Sequence, residues 1–190
     1  MNRRAVLTAL PALLLARPAM AAASQAQSFV AAAREQTRHR VTYDGAYTRI
    51  GYPMGDVPPD RGVCTDVVIR AYRAIGIDLQ ERVHKDMLAH FDLYPKAWGL
   101  THPDSNIDHR RVPNLQVFLA RFGAALPVTR AGGDFAPGDL VTYRLDYNLP
   151  HIAVVSDGPA QRIIHNIGAG PQEETSLFAY EMTGHYRYDL

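Results

Sequence analysis

The sequence predicts a single α+β domain, with N-terminal helices packed on one face of a small antiparallel β-sheet. Three observations carry this. Apolar residues recur at helical spacing through the first two thirds of the chain, and short β-rich runs separated by turn residues take over after Gly132. The 190 residues, 47% of them hydrophobic, are enough for one core and give no reason to divide the chain further.

Taken in order, residues 28–38 read as a short polar helix within an N-terminal helical segment spanning 22–42. Residues 43–62 are rich in Tyr, Gly and Pro, show neither period, and are expected to form a structured loop that opens the main domain, 43–190. From Cys64 the apolar positions Val67, Val68, Ala71 and Ile75 fall on one helix face, and Gly76 stops the helix. A second helix is predicted over 79–91, with Val83, Met87 and Phe91 in register, and a third from Pro113 to Gly123, carrying Leu115, Phe118, Leu119 and Phe122. Between them, 92–112 is irregular, and a loop of that length is expected to be a lid or a binding wall. The β-rich runs are 140–145, 151–156, 163–166 and 184–188, punctuated by turns such as Pro137-Gly138-Asp139.

The first 21 residues are expected to be a signal peptide. Arg3 and Arg4 precede an apolar run over 5–16, which Pro11 interrupts, and Ala19-Met20-Ala21 is a small-x-small cleavage site. The run is too short to span a bilayer, so the expected location is periplasmic or secreted, by Sec or Tat export, without a retained membrane span. Removing residues 1–21 leaves 17 basic against 19 acidic side chains, a net charge of about −2. With no basic block interleaved with aromatics, nucleic acid is not an expected partner, and the domain is expected to act as a monomer.

An exported protein normally pairs its cysteines, yet Cys64 stands alone. Its context supplies a reason. Gly62-Val63-Cys64-Thr65-Asp66 opens a helix, Pro137-Gly138-Asp139-Leu140-Val141 leads to His151-Ile152-Ala153-Val154-Val155, and Ile163-Ile164-His165-Asn166 follows. In this order the pieces resemble the NlpC/P60 superfamily of papain-like cysteine hydrolases. More narrowly, Gly-Val-Cys-Thr-Asp-Val-Val, the stretch from Asn106 to Leu115 and His165-Asn166-Ile167-Gly168 resemble an uncharacterised family of exported bacterial proteins grouped with it. The common superfamily pattern is Asp-Cys-Ser-Gly, where this chain has Val63-Cys64-Thr65-Asp66.

The resemblance implies a papain-like fold and a cysteine hydrolase acting through an acyl-enzyme, with Cys64 as nucleophile, His151 as base and His165 orienting the base. The chemistry fits those residue types, because a helix start favours a thiolate and an imidazole can move the thiol proton. His165 and Asn166 are strand neighbours and must point to opposite faces, so only one of them can reach His151. No cofactor or metal is expected: Asp104, Asn106 and Asp108 imitate a calcium loop, but His109 stands where it needs Gly and Leu115 where it needs Glu. The expected partner is cell-wall peptide or another acyl or amide substrate. Tyr52, a tyrosine preceding the cysteine, and Asp66, Asp108, His109, Arg110 and Asn166 are weaker substrate-side candidates. The alternatives are a lipid or small-ester acyl hydrolase and a catalytically silent envelope-binding module.

Overall fold

The computed structural model describes residues 16–190, with side chains from residue 25 onward. The signal-peptide expectation falls largely on residues outside that range. Helix α1 (Ala16–Glu35) starts earlier than predicted and ends in a 3-10 turn over Gln36–Arg38. Helices α2 (Cys64–Ala74), α3 (Leu79–His90) and α4 (Val112–Phe122) lie where their apolar spacing placed them. Local chemistry sets their ends. Gly76 takes φ 84° after α2, a left-handed conformation that side chains disfavour, and the Asp78 carboxylate accepts the Glu81 N–H at the start of α3. At the end of α4, a Cβ on Gly123 would come within 2.9 Å of the Leu119 carbonyl oxygen and 2.7 Å of that of Arg187.

The strands are β1 (Thr42–Tyr43), β2 (Arg61–Gly62), β3 (Ala124–Ala125), β4 (Leu140–Leu145), β5 (Leu149–Asp157), β6 (Arg162–Asn166), β7 (Pro171–Thr175) and β8 (Glu181–Arg187). β1 and β2 form a small parallel pair inside the stretch read as a loop. The other six make one antiparallel sheet in the order β3-β8-β4-β5-β6-β7, so β4 to β7 run as a meander.

Strand alternation divides the interior in two. Leu140, Ile152, Val154 and Ile164 face α1, α2 and α4 and meet Phe29, Val68, Tyr72 and Leu119 in the main core. Val141, Tyr143, Ala153, Val155 and Ile163 point the other way and are covered by Phe135 and Leu177. The fold is thus α+β, with helices on one face of the sheet. The Pro137-Gly138-Asp139 turn is anchored by Asp139, fully buried, whose carboxylate accepts from His185 at 2.8 Å and from Arg187 at 2.7 and 2.9 Å. This fixes the start of β4 to β8, and through the meander it fixes the strands that carry the two site histidines.

Candidate active site

The β5–β6 ladder runs only from Val154↔Ile164 to Asp157↔Arg162. The ends carrying His151 and His165-Asn166 are therefore not paired with each other, and the start of α2 sits at this opening. Two contacts hold it there. Asn166 Nδ2 donates to the Gly62 carbonyl at 3.3 Å, and the Ile152 N–H donates to the Cys64 sulfur. On the other side, the pairing of Tyr43 with Gly62 in β1–β2 brings the Tyr43 hydroxyl onto Cys64, where it meets both the thiol and the backbone N–H.

Cys64 is only 4% exposed. Burial pushes its thiol up to about 11, and Asp66 adds to this, against the opposing pull of the Ile152 and Thr65 N–H groups and the Tyr43 hydroxyl. His151, 1% exposed, is pushed by burial and by the neighbouring His165 down to about 3. The resting site therefore holds a neutral thiol and a neutral imidazole. The helix start was expected to favour a thiolate, but desolvation outweighs the dipole and its N–H donors.

His151 and His165 lie on the same face of the sheet, with His151 Nε2 2.9 Å from His165 Nδ1. His165 Nε2 is in turn 3.0 Å from Glu174 Oε2, on the next strand of the meander. A carboxylate only accepts, so His165 donates from Nε2. In a neutral His165 that leaves Nδ1 as acceptor, so His151 donates from Nε2 and keeps its lone pair on Nδ1. The chain of contacts thereby selects one tautomer of His151.

Cys64 opens onto a cleft of about 380 Å³ lined by Tyr43, Tyr47, Trp98, Ile107, Arg110, Arg111, Pro113 and Pro150 among others. The family model described as "Domain of unknown function (DUF1287)" matches residues 30–188. The chain belongs to the DUF1287 family. It is similar to "Uncharacterized protein YijF" of Escherichia coli (strain K12), 53% identical over 160 residues, 82% of this chain and 78% of that protein. Among solved structures it is similar to NlpC1 from Trichomonas vaginalis at 13% identity and a TM-score of 0.47, covering 86% of this chain and 44% of that one.

In this DUF1287 chain Arg110 is the one of the weaker substrate-side candidates that lines the cleft, and all of them make contacts within the fold. Asp66 receives both forks of Arg110 at 2.9 Å, both side chains being almost wholly buried, and also accepts the Val63 N–H at 2.7 Å. Asp108 and His109 are buried beneath the start of α4, where Asp108 accepts the Asp104 N–H. Asn166 faces the helices and holds Gly62. Tyr52 packs edge-on against His84, with ring centroids 5.2 Å apart, and is not among the residues lining the cleft. The tyrosine beside the cysteine is Tyr43 instead. Tyr43, Trp98 and Glu174 were not singled out from sequence, whereas Arg111 lies in the 108–111 run that the sequence reads as a charge-paired loop shaping the cleft wall, with carboxylate binding by an arginine as the alternative. Each of the first three enters the site through a pairing or loop closure that no local period encodes. The irregular 92–112 segment does supply a wall of the cleft, through Trp98, Ile107, Arg110 and Arg111.

Proposed function

We propose that this protein is an exported thiol hydrolase of the papain-like, NlpC/P60 type that cleaves a peptide or amide bond, with cell-wall peptide as substrate. The observation that carries the reading is the Glu174–His165–His151 relay on one face of the sheet, with Cys64 held on the other side of the same strand by the N–H of Ile152, the residue after His151. A carboxylate and two imidazoles hydrogen-bonded in a row, with a lone buried thiol at the same strand end, are more than a sheet needs for packing, and they are the parts of an acyl-transfer site.

Substrate entering the cleft places its carbonyl carbon against Cys64 Sγ. The reaction requires the His151 ring to come within reach of Cys64 Sγ when substrate fills the cleft, so that Nδ1 takes the thiol proton as sulfur attacks and charge appears only when the carbonyl is there to receive it. The resulting oxyanion is met by the Cys64 N–H and the Tyr43 hydroxyl, which already face each other at this spot. His151 then gives the proton to the leaving amine, and a thioester remains on Cys64. Water, deprotonated by His151, attacks the thioester and releases the acid together with the thiol. His165 and Glu174 hold the imidazole and stabilise its transient positive charge.

The test is to incubate the mature protein separately with purified peptidoglycan and with a panel of acyl esters, and to follow new amines and acids by mass spectrometry. New amine termini from peptidoglycan, absent with Cys64→Ala, are expected. Release from esters alone would point to a small-ester or lipid hydrolase, and turnover of neither would leave a silent envelope-binding module.

A further inference from the structure

The wall of the Cys64 cleft contains a charge that the chemistry above does not use. Arg111 lies over the ring of Trp98, its guanidinium carbon 4.3 Å from a ring centroid. Its nearest anion is Asp108 Oδ1, at 3.5 Å from Nη1, and neither atom has a hydrogen-bond partner. The neighbouring Arg110 is different, with its fork taken by Asp66. The same is true of Arg70 and Arg73 with Asp56, Arg121 with Asp86 and Arg187 with Asp139. Arg111 is a guanidinium whose side chain is 16% exposed, set against an aromatic ring, and its ion pair with Asp108 includes no hydrogen bond.

The surrounding acids pair this charge only loosely, through the 3.5 Å contact to Asp108. Of the nearby acids, Asp104 is engaged by Asn106 and Tyr47, and Asp108 accepts the Asp104 N–H. Burial holds the Arg111 guanidinium below its usual range and Asp108 above the usual carboxylate range, at about 6. A planar guanidinium can offer two parallel donors, the geometry that a carboxylate fills and a carbonyl does not.

We infer that Arg111, laid on Trp98, is the receptor for a free carboxylate on the substrate, so that the cleft selects an acidic acyl or peptide chain over its neutral counterpart. This rests on the reading of the Cys64 cleft as the place where substrate binds. It makes Arg111 a specificity residue for substrate binding with no part in proton transfer.

The protein carries its own reporter, because Trp98 is its sole tryptophan. The experiment is to titrate the mature Cys64→Ala protein at constant ionic strength with N-acetylglutamate and with the uncharged N-acetylglutaminamide, following Trp98 fluorescence. Expected is a saturable change with the acid, at least about tenfold weaker with the amide, as a charge-assisted bond implies. Arg111→Gln should abolish the preference, and Arg111→Lys should keep part of it, since a point charge remains without the fork. Circular dichroism of both variants separates lost binding from lost folding. Equal responses to acid and amide, or the same acid preference in Arg111→Gln, would overturn the inference. No turnover is involved, so the result is independent of whether Cys64 is a nucleophile. An active hydrolase without acid preference loses only the carboxylate receptor, and acid preference in a protein that cleaves nothing loses only the hydrolase.

Discussion

The tautomer of His151 is decided two residues away along a chain of hydrogen bonds. His151 donates to His165 because His165 is already committed to Glu174. Which neighbour faces His151 could be read from the sequence, since adjacent strand residues point oppositely and a meander puts β5 beside β6. Glu174 could not, because it lies on β7, an edge strand of sequence Pro-Gln-Glu-Glu-Thr with no apolar alternation to reveal it. The two members are expected to differ in weight. His165→Ala should cut turnover on the order of 10³-fold or more, as loss of the orienting triad member does, while His165→Gln keeps an acceptor for His151 Nε2–H and should retain measurable activity. Glu174 is 40% exposed, so water can replace its oxygen, and Glu174→Ala should cost about tenfold in kcat with KM little changed. The acidic limb of the pH–rate profile should shift as well, a change that a merely structural role would not produce. A Glu174→Ala profile superimposable on that of the parent would remove Glu174 from the relay. Asn166→Ala should cost less than His165→Ala, because Asn166 steadies Gly62 from the helix side.

At the scale of elements, the helices were legible and the small pairings were not. The period of α2, α3 and α4 located each to within two residues at either end, because a buried helix face repeats an apolar signal over three turns. β1 and β2 have two residues each and lie in a Pro- and Gly-rich stretch, so their partnership exists only through tertiary contact, and with it the position of Tyr43. The start of α2 has a comparable hidden support. Asp66 joins its own helix cap to the 108–110 turn through Arg110, in an ion pair whose side chains are 3% and 2% exposed. Removing one partner leaves a charge buried and unmatched, so Asp66→Ala should destabilise the fold by about 3–5 kcal/mol, whereas replacing both partners with apolar residues of similar size should recover most of that. Urea unfolding of Asp66→Ala and of the Asp66→Leu/Arg110→Met double variant checks this. A double variant as unstable as the single one would show that the pair's geometry, beyond its charge balance, holds the cleft together.

For the whole molecule, burying the candidate site has a consequence in acid. His151 and His109 are both held neutral, each lowered by burial to about 3, with His165 adding to the effect on the first and Arg110 to that on the second. In the unfolded chain both would titrate near 6.5. Between those values the unfolded state binds more protons, so stability falls as pH drops from about 6.5 toward 3. Asp108 works in the opposite sense. Burial raises it to about 6, so between its unfolded value near 3.8 and 6 the folded state holds the extra proton, and its contribution is lost as pH rises through that range. Two histidines against one carboxyl leave a net loss of stability on acidification, beginning above the range where ordinary carboxylates titrate. The unfolding temperature, measured across pH 4.5 to 7.5, should therefore fall steadily below about pH 6.5. His109 is not among the cleft-lining residues and plays no part in the proposed chemistry, so His109→Gln isolates one contribution. Its unfolding temperature should depend less steeply on pH than that of the parent, while turnover on any substrate found keeps the parent's pH profile. A parent protein equally stable at pH 4.5 and 7.5, or a His109→Gln slope identical to it, would mean that these imidazoles are hydrated in solution and that the site is more open than its burial implies.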